Sequence, residues 1–247
     1  MSPLLECQGL AKNFGGVAAV AGVSLALPAG QVTALVGPNG AGKTTVFNLI
    51  TGNLRADSGH ATLRGRPLLG LAPWQVARAG VARSFQDLRL FQQMTVRQNV
   101  LAATEPAAWF WQPGGRAARI AREARMEAAL SDCGLLAQAG ARAVDLAYAE
   151  RKFLSMARIL AARADVWLLD EPASGLDPAS RERFAALLRA ATATGVAICL
   201  IEHNLDVVMA LADRIAFLDR GQVLAEGEPQ AILKDPRLAA IYFGDRA

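Results

Sequence analysis

Short, largely apolar runs occur at residues 31–36, 166–169, 196–201 and 215–218. Sustained apolarity over so short a length is the pattern of a strand covered on both faces. Helical spacing fills the stretches between them, so the expected fold is α/β, with a mostly parallel sheet and helices on its faces. Residues 4–10 and 23–27 alternate in part, and 61–63 lead into the turn residues Gly65-Arg66-Pro67. These segments predict a smaller antiparallel sheet. From about residue 87 to 148 the strand pattern disappears, and residues 116–136 carry Ala, Arg, Glu, Leu and Met at helical spacing. An inserted helical subdomain is expected there, with an irregular loop at 106–115.

The first apolar run opens onto Gly37-Pro38-Asn39-Gly40-Ala41-Gly42-Lys43-Thr44-Thr45. This is a complete G-x-x-x-x-G-K-[ST] phosphate loop, with a strand pattern before it and a helical pattern after it. Its glycines let backbone N–H groups turn inward toward phosphates at the positive end of the next helix. Lys43 supplies a point charge for the β and γ phosphates, and the Thr44 hydroxyl can hold Mg²⁺. The run before residue 170 ends in Asp170-Glu171, which puts two carboxylates at the carboxyl edge of the same sheet. Asp170 can then join the Mg²⁺ shell, while Glu171 orients a water for attack on the γ phosphate. His203 follows another apolar run and can hydrogen-bond that phosphate. His60 lies in a polar turn and reads as solvated.

The 247 residues are 53% hydrophobic and 19% charged, enough for one large domain with a small insertion. No segment is long and apolar enough to span a bilayer, and the first residues lack a secretory pattern, so a cytosolic chain held at a membrane only by partners is expected. Cys7, Cys133 and Cys199 are scattered and suggest buried core positions rather than disulfides or zinc. The net charge of +4 permits contact with acidic surfaces, but the basic residues are mostly dispersed and give only weak evidence for nucleic acid, which is not expected as a partner.

In order along the chain, the phosphate loop, Gln86 within Arg83-Ser84-Phe85-Gln86, a helical insertion, Leu146-Ala147-Tyr148-Ala149-Glu150, Asp170-Glu171, Ser174-Gly175-Leu176-Asp177 and Glu202-His203 resemble the ATP-binding subunits of ABC transporters. The resemblance covers nearly the whole chain. It implies a phosphate-loop NTPase (RecA-like) fold in a single domain. Residues 1–86 would form the nucleotide-binding core with the antiparallel β subdomain, 87–155 the helical subdomain, 156–221 the second part of the core and 222–247 a C-terminal tail. It also implies that Phe14 stacks on adenine, that Gln86 touches Mg²⁺ and the attacking water, and that the stretch at Asp177 crosses to a second ATPase. The cofactors would be ATP and Mg²⁺. Segments 37–48, 80–86, 89–96 and 241–244 further resemble the subunits that power branched-chain amino acid importers, whose related systems carry amides or urea.

Expected partners are a second ATPase, identical or not, two membrane-spanning permease subunits and, indirectly, an extracytoplasmic solute-binding protein. The chain would lie peripherally at the cytoplasmic face of the membrane, docking through residues 87–94, with Trp109-Phe110-Trp111 as a further aromatic contact. Soluble ABC-type ATPases of nucleic acid or ribosomes, and weakly hydrolysing regulatory modules, are the competing classes. The family's signature is Leu-Ser-Gly-Gly-Gln, often Leu-Ala-Tyr-Gly-Gln in this subgroup. Ala149 and Glu150 depart from it, and a carboxylate near triphosphate is expected to weaken closure unless it points away.

Overall fold

The computed structural model describes residues 3–104 and 115–243. Its elements run β1 (Leu5–Phe14), β2 (Val17–Leu27), β3 (Val32–Val36), α1 (Lys43–Ile50), β4 (Ser58–Leu63), β5 (Arg66–Pro67), α2 (Pro73–Ala79), β6 (Val81–Arg83), α3 (Val96–Thr104) and α4 (Arg116–Asp132). Then follow α5 (Tyr148–Ala162), β7 (Val166–Asp170), α6 (Pro178–Ala193), β8 (Ala197–Ile201), α7 (Leu205–Leu211), β9 (Arg214–Asp219), β10 (Gln222–Gly227), α8 (Pro229–Leu233) and α9 (Pro236–Phe243).

Six strands form the main sheet in the order β10-β9-β3-β8-β7-β6. All neighbours pair in parallel except β10, which runs antiparallel to β9 at one edge. Every residue of β3, β7 and β8 is buried, which is why their sequences are nearly continuous apolar runs. Period two divides them between two cores. Ala34, Trp167, Leu169, Ile198 and Leu200 face the core shared with α3, α4, α5 and α6. Leu35, Leu168, Cys199 and Ile201 face the core shared with α1 and the second sheet. That second sheet is antiparallel, ordered β2-β1-β4-β5. Cys7, Cys133 and Cys199 are free and buried, and burial pushes the Cys7 and Cys133 thiols up to about 12.

Several elements differ from the expected ones for identifiable reasons. The β1–β2 hairpin is longer than the alternation suggested, because bulges at Cys7/Leu10, Leu10/Ala11 and Lys12/Asn13 break the period. Helix α4 stops at Asp132 rather than near 136, because Gly134 adopts φ +67° and the Leu135 N–H turns back to the Leu130 carbonyl. The stretch from 222 begins with a strand, β10, that pairs with β9. Strand β6 is only three residues long and carries too little pattern to be seen in sequence. Between 87 and 148 the described residues form no strand: α3, α4 and two short 3-10 turns, Leu136–Gln138 and Ala143–Asp145, are joined by loops, and a single bridge pairs Thr95 with Arg142. Trp109-Phe110-Trp111 and the loop placed at 106–115, apart from Gly115, lie outside the described residues. No helix among the described residues is long and apolar enough to cross a membrane.

Candidate functional site

Strand β3 delivers the chain to Gly37, whose φ is +148° and where an added Cβ would lie 1.9 Å from the Leu218 carbonyl oxygen. Only glycine fits there. Gly42 is similarly pinned, with φ +104° and the Ala19 carbonyl oxygen of β2 2.3 Å from where a Cβ would stand. No side chain caps the start of α1 at Gly42, so its first-turn N–H groups are free to meet an anion. Within this turn, Lys43 is buried, and its Nζ donates to the carbonyls of Gly37 at 2.7 Å and Pro38 at 2.9 Å. Burial pulls its pKa down, and the charges of Glu171 and Asp170 partly restore it.

The carboxyl ends of β7 and β8 face this loop. Asp170 is buried, and its N–H donates to Ser84 Oγ at 2.9 Å. Burial raises its carboxyl pKa, against the opposing pull of Arg83. Glu171 takes the left-handed φ of +47°, a conformation costly for a residue with a side chain and often found where geometry is functional. Its carboxylate receives Gln86 Nε2 at 3.2 Å and meets His203 Nε2 at 2.9 Å. Its carbonyl accepts from Lys152 Nζ at 2.6 Å.

A cavity of about 310 Å³ lies between loop and strand ends, lined by Asn39, Gly40, Ala41, Gly42, Lys43, Thr44, Thr45, Gln86, Asp170, Glu171 and His203, with Ala19 and Ile201. The motif residues Gly37 and Pro38 stand behind it, as the carbonyls that hold Lys43. Thr44, Gln86 and Asp170 all reach the cavity with oxygen donors. No cluster of three or more His, Cys, Asp or Glu side chains among the described residues could hold a metal. Such a donor set fits Mg²⁺, which keeps water and phosphate oxygens in its shell, and does not fit a closed all-protein metal cage.

The remaining sequence candidates lie apart from this cavity. Phe14 ends β1 and is 47% exposed, so it is not a core aromatic; Lys12 Nζ stands 5.6 Å from its ring centroid. Leu146 is buried, whereas Tyr148 is 52% exposed and packs on Gly175. Asp177 caps α6 by accepting from Ser180 N at 3.0 Å and Ser180 Oγ at 2.7 Å, which holds its pKa down. Glu150 is folded back: one carboxylate oxygen accepts the Ala147 N–H at 2.7 Å and the other accepts from Gln138. With alanine at 147 this is half a capping box.

Sequence reasoning gave no role to Arg83, Ser84, Lys152, Glu202 or Tyr242. Tyr242 Oη donates to the His203 carbonyl at 2.8 Å. Glu202 accepts the Ala173 N–H at 2.8 Å. The usable signal was a charged residue adjoining an apolar run, as at Arg83 and Glu202.

A glycine loop at a helix start, a buried lysine within it and two carboxylates at the end of β7 define a phosphate-loop nucleotide-binding protein. The family model described as "ABC transporter" matches residues 20–174. The high-affinity branched-chain amino acid transport ATP-binding protein LivG of Salmonella typhimurium is 39% identical over 251 residues, covering 98% of each chain. BraF of Pseudomonas aeruginosa, a protein of the same description, is also 39% identical, with 98% of each chain covered. The crystal structure of the ADP conformation of MJ1267, an ATP-binding cassette of an ABC transporter, superimposes with a TM-score of 0.87 at 28% identity, covering 99% of this chain and 100% of that one. The chain belongs to the ABC transporter family of ATP-binding subunits, in which ATP hydrolysis is general.

Burial raises the pKa of Glu202, with the Ala173 hydrogen bond and Lys152 opposing it. A folded-state value above the unfolded one stabilises fully below the ordinary glutamate range and loses that contribution as pH rises through the raised value. Glu202→Gln does not titrate, so the parent should lose stability relative to this variant as pH rises above about 4.5, the usual glutamate value. Urea melts of both proteins across this range check it; parallel pH profiles would contradict it.

Proposed function

We propose that this chain is the ATP-hydrolysing subunit of an importer for branched-chain or other hydrophobic amino acids, with amides or urea as related cargoes. The cargo reading rests on its likeness to the LivG and BraF proteins over nearly their whole length. The mechanism rests on one observation: Gln86 and His203 converge on the Glu171 carboxylate beside Lys43 and the phosphate loop.

On nucleotide binding, the Lys43 ammonium exchanges its loop carbonyls for the β and γ phosphate oxygens, and the first N–H groups of α1 take up further phosphate oxygens. Thr44, Gln86 and Asp170 would hold Mg²⁺, which when bound would neutralise phosphate charge. Glu171, released from Gln86 and His203, takes a proton from the water that attacks the γ phosphorus as the bond to ADP breaks. His203 donates to a γ-phosphate oxygen. Phe14, at the exposed end of β1, stacks on the adenine.

Residues 146–150 and Asp177 do not line this chain's own cavity; by the resemblance to the family's signature and crossing segment, they serve the nucleotide of a second ATPase packed head to tail. Opening and closing of that pair is passed to two membrane-spanning permease subunits through residues 87–94, where Phe91 and Met94 are exposed. An extracytoplasmic solute-binding protein delivers the cargo. The chain is then peripheral at the cytoplasmic face of the membrane, and no nucleic acid partner is needed.

Glu171→Gln is expected to bind ATP like the parent while turnover in the assembled transporter falls about 100-fold or more. Near-parental turnover would overturn the assignment, and labelled leucine against urea in proteoliposomes tests the cargo. The carboxylate of Glu150 opposes a partner's triphosphate even though it points back at its own helix. Glu150→Gln keeps an acceptor for Ala147 without the charge, so half-maximal turnover should need about 2- to 5-fold less ATP, the range expected for one charge at a helix start. An unchanged ATP dependence would mean that the charge does not reach the partner's site.

A further inference from the structure

Arg83, the last residue of β6, carries a guanidinium into the interior, with its side chain only 6% exposed. Three elements meet on it. Its Nη1 donates to Asn48 Oδ1 on α1 at 2.6 Å and lies 3.3 Å from Thr51 Oγ1. Its Nη2 lies 3.7 Å from Asp170 Oδ2 at the end of β7. Its guanidinium carbon stands 5.6 Å from the Phe47 ring centroid and 4.8 Å from that of Phe85, one residue before Gln86. Burying such a cation is costly unless well-placed partners offset the water it loses.

The arrangement does more than neutralise Asp170. A single long contact to one carboxylate oxygen leaves the other free, whereas a tight two-pronged pair would occupy both. Asn48 fixes the guanidinium to α1, the helix that also carries Thr44 one turn earlier. Thr44, Asp170 and Gln86 therefore share one buried anchor, and Arg83 lines a pocket of about 310 Å³ with all three.

We propose that Arg83 is a positioning residue that presets the Asp170 carboxylate against α1, so that Asp170, Thr44 and Gln86 form a ready site for the divalent cation of the bound nucleotide. This rests on the metal placement proposed above. A merely structural arginine would affect folding or all nucleotide binding alike. A positioning residue acts on the cation-dependent part alone.

The test titrates the full chain with ATP, once in EDTA and once in Mg²⁺, for the parent, Arg83→Met, Arg83→Lys and Asn48→Ala, with thermal melts for each. Arg83→Met should bind ATP in EDTA like the parent and lose about 10-fold or more of the affinity gained with Mg²⁺, the usual cost of removing a partner that orients a metal ligand. Arg83→Lys keeps the charge without the planar fork and should recover part of that gain. Asn48→Ala, which cuts only the tether to α1, should show a smaller loss of the same kind, and these two variants carry the test should Arg83→Met fail to fold. An intact Mg²⁺ gain in the variants, or an equal loss in both titrations, overturns the role of Arg83 alone. A parent with no Mg²⁺ gain overturns the metal placement first, and this proposal with it.

Discussion

Lys43 brings a positive charge into a turn of backbone, where its ammonium donates to two neighbouring carbonyl oxygens. Burial disfavours that charge, and the nearby Asp170 and Glu171 sustain it. A cation held in this way is poised for an anion, because phosphate oxygens offer far stronger charge-assisted bonds than peptide carbonyls do. The glycines at 37 and 42 make the turn possible, since carbonyl oxygens of Leu218 and Ala19 stand where any side chain would go. The rest of the site is arranged around that unfilled demand for negative charge.

The main sheet turns this local feature into a reaction site. β3, β8 and β7 lie side by side and parallel, so the phosphate loop, His203 and the Asp170-Glu171 pair leave the sheet at one edge. The three strands themselves are buried along their whole length. Gln86 and Lys152 arrive from outside the sheet, and both hold Glu171, one by its carboxylate and one by its carbonyl. Lys152 also lies 5.6 Å from the Tyr148 ring centroid on the same helix. The segment proposed to serve a neighbouring ATPase is thus physically tied to the residue proposed to act on this chain's own nucleotide.

What could be read from sequence follows burial. β3, β7 and β8 are covered on both faces and declared themselves as apolar runs, and the phosphate loop is legible because its backbone geometry restricts residue type. The β1–β2 hairpin was only half legible because bulges shift its register, and β6 was silent because three residues hold no period. Asp170, Glu171 and His203 were legible as polar residues ending apolar runs. Arg83 was not, because its significance depends on Asn48, Asp170 and Phe85 meeting in space. The direction of the Glu150 carboxylate likewise depends on Gln138 and the Ala147 N–H, which no spacing rule reveals. The contrast is between chemistry written into the backbone and chemistry assembled from distant side chains.

The central claim is that this turn grips a triphosphate through Lys43 and the first N–H groups of α1. Calorimetric titration of the full chain with ATP in Mg²⁺, set beside the same titration of Lys43→Ala, tests it most directly. The account predicts measurable binding by the parent and a loss of at least about 10-fold in the variant, the scale of one charge-assisted contact to phosphate. Equal affinity in the two proteins, or no binding by the parent, would contradict it.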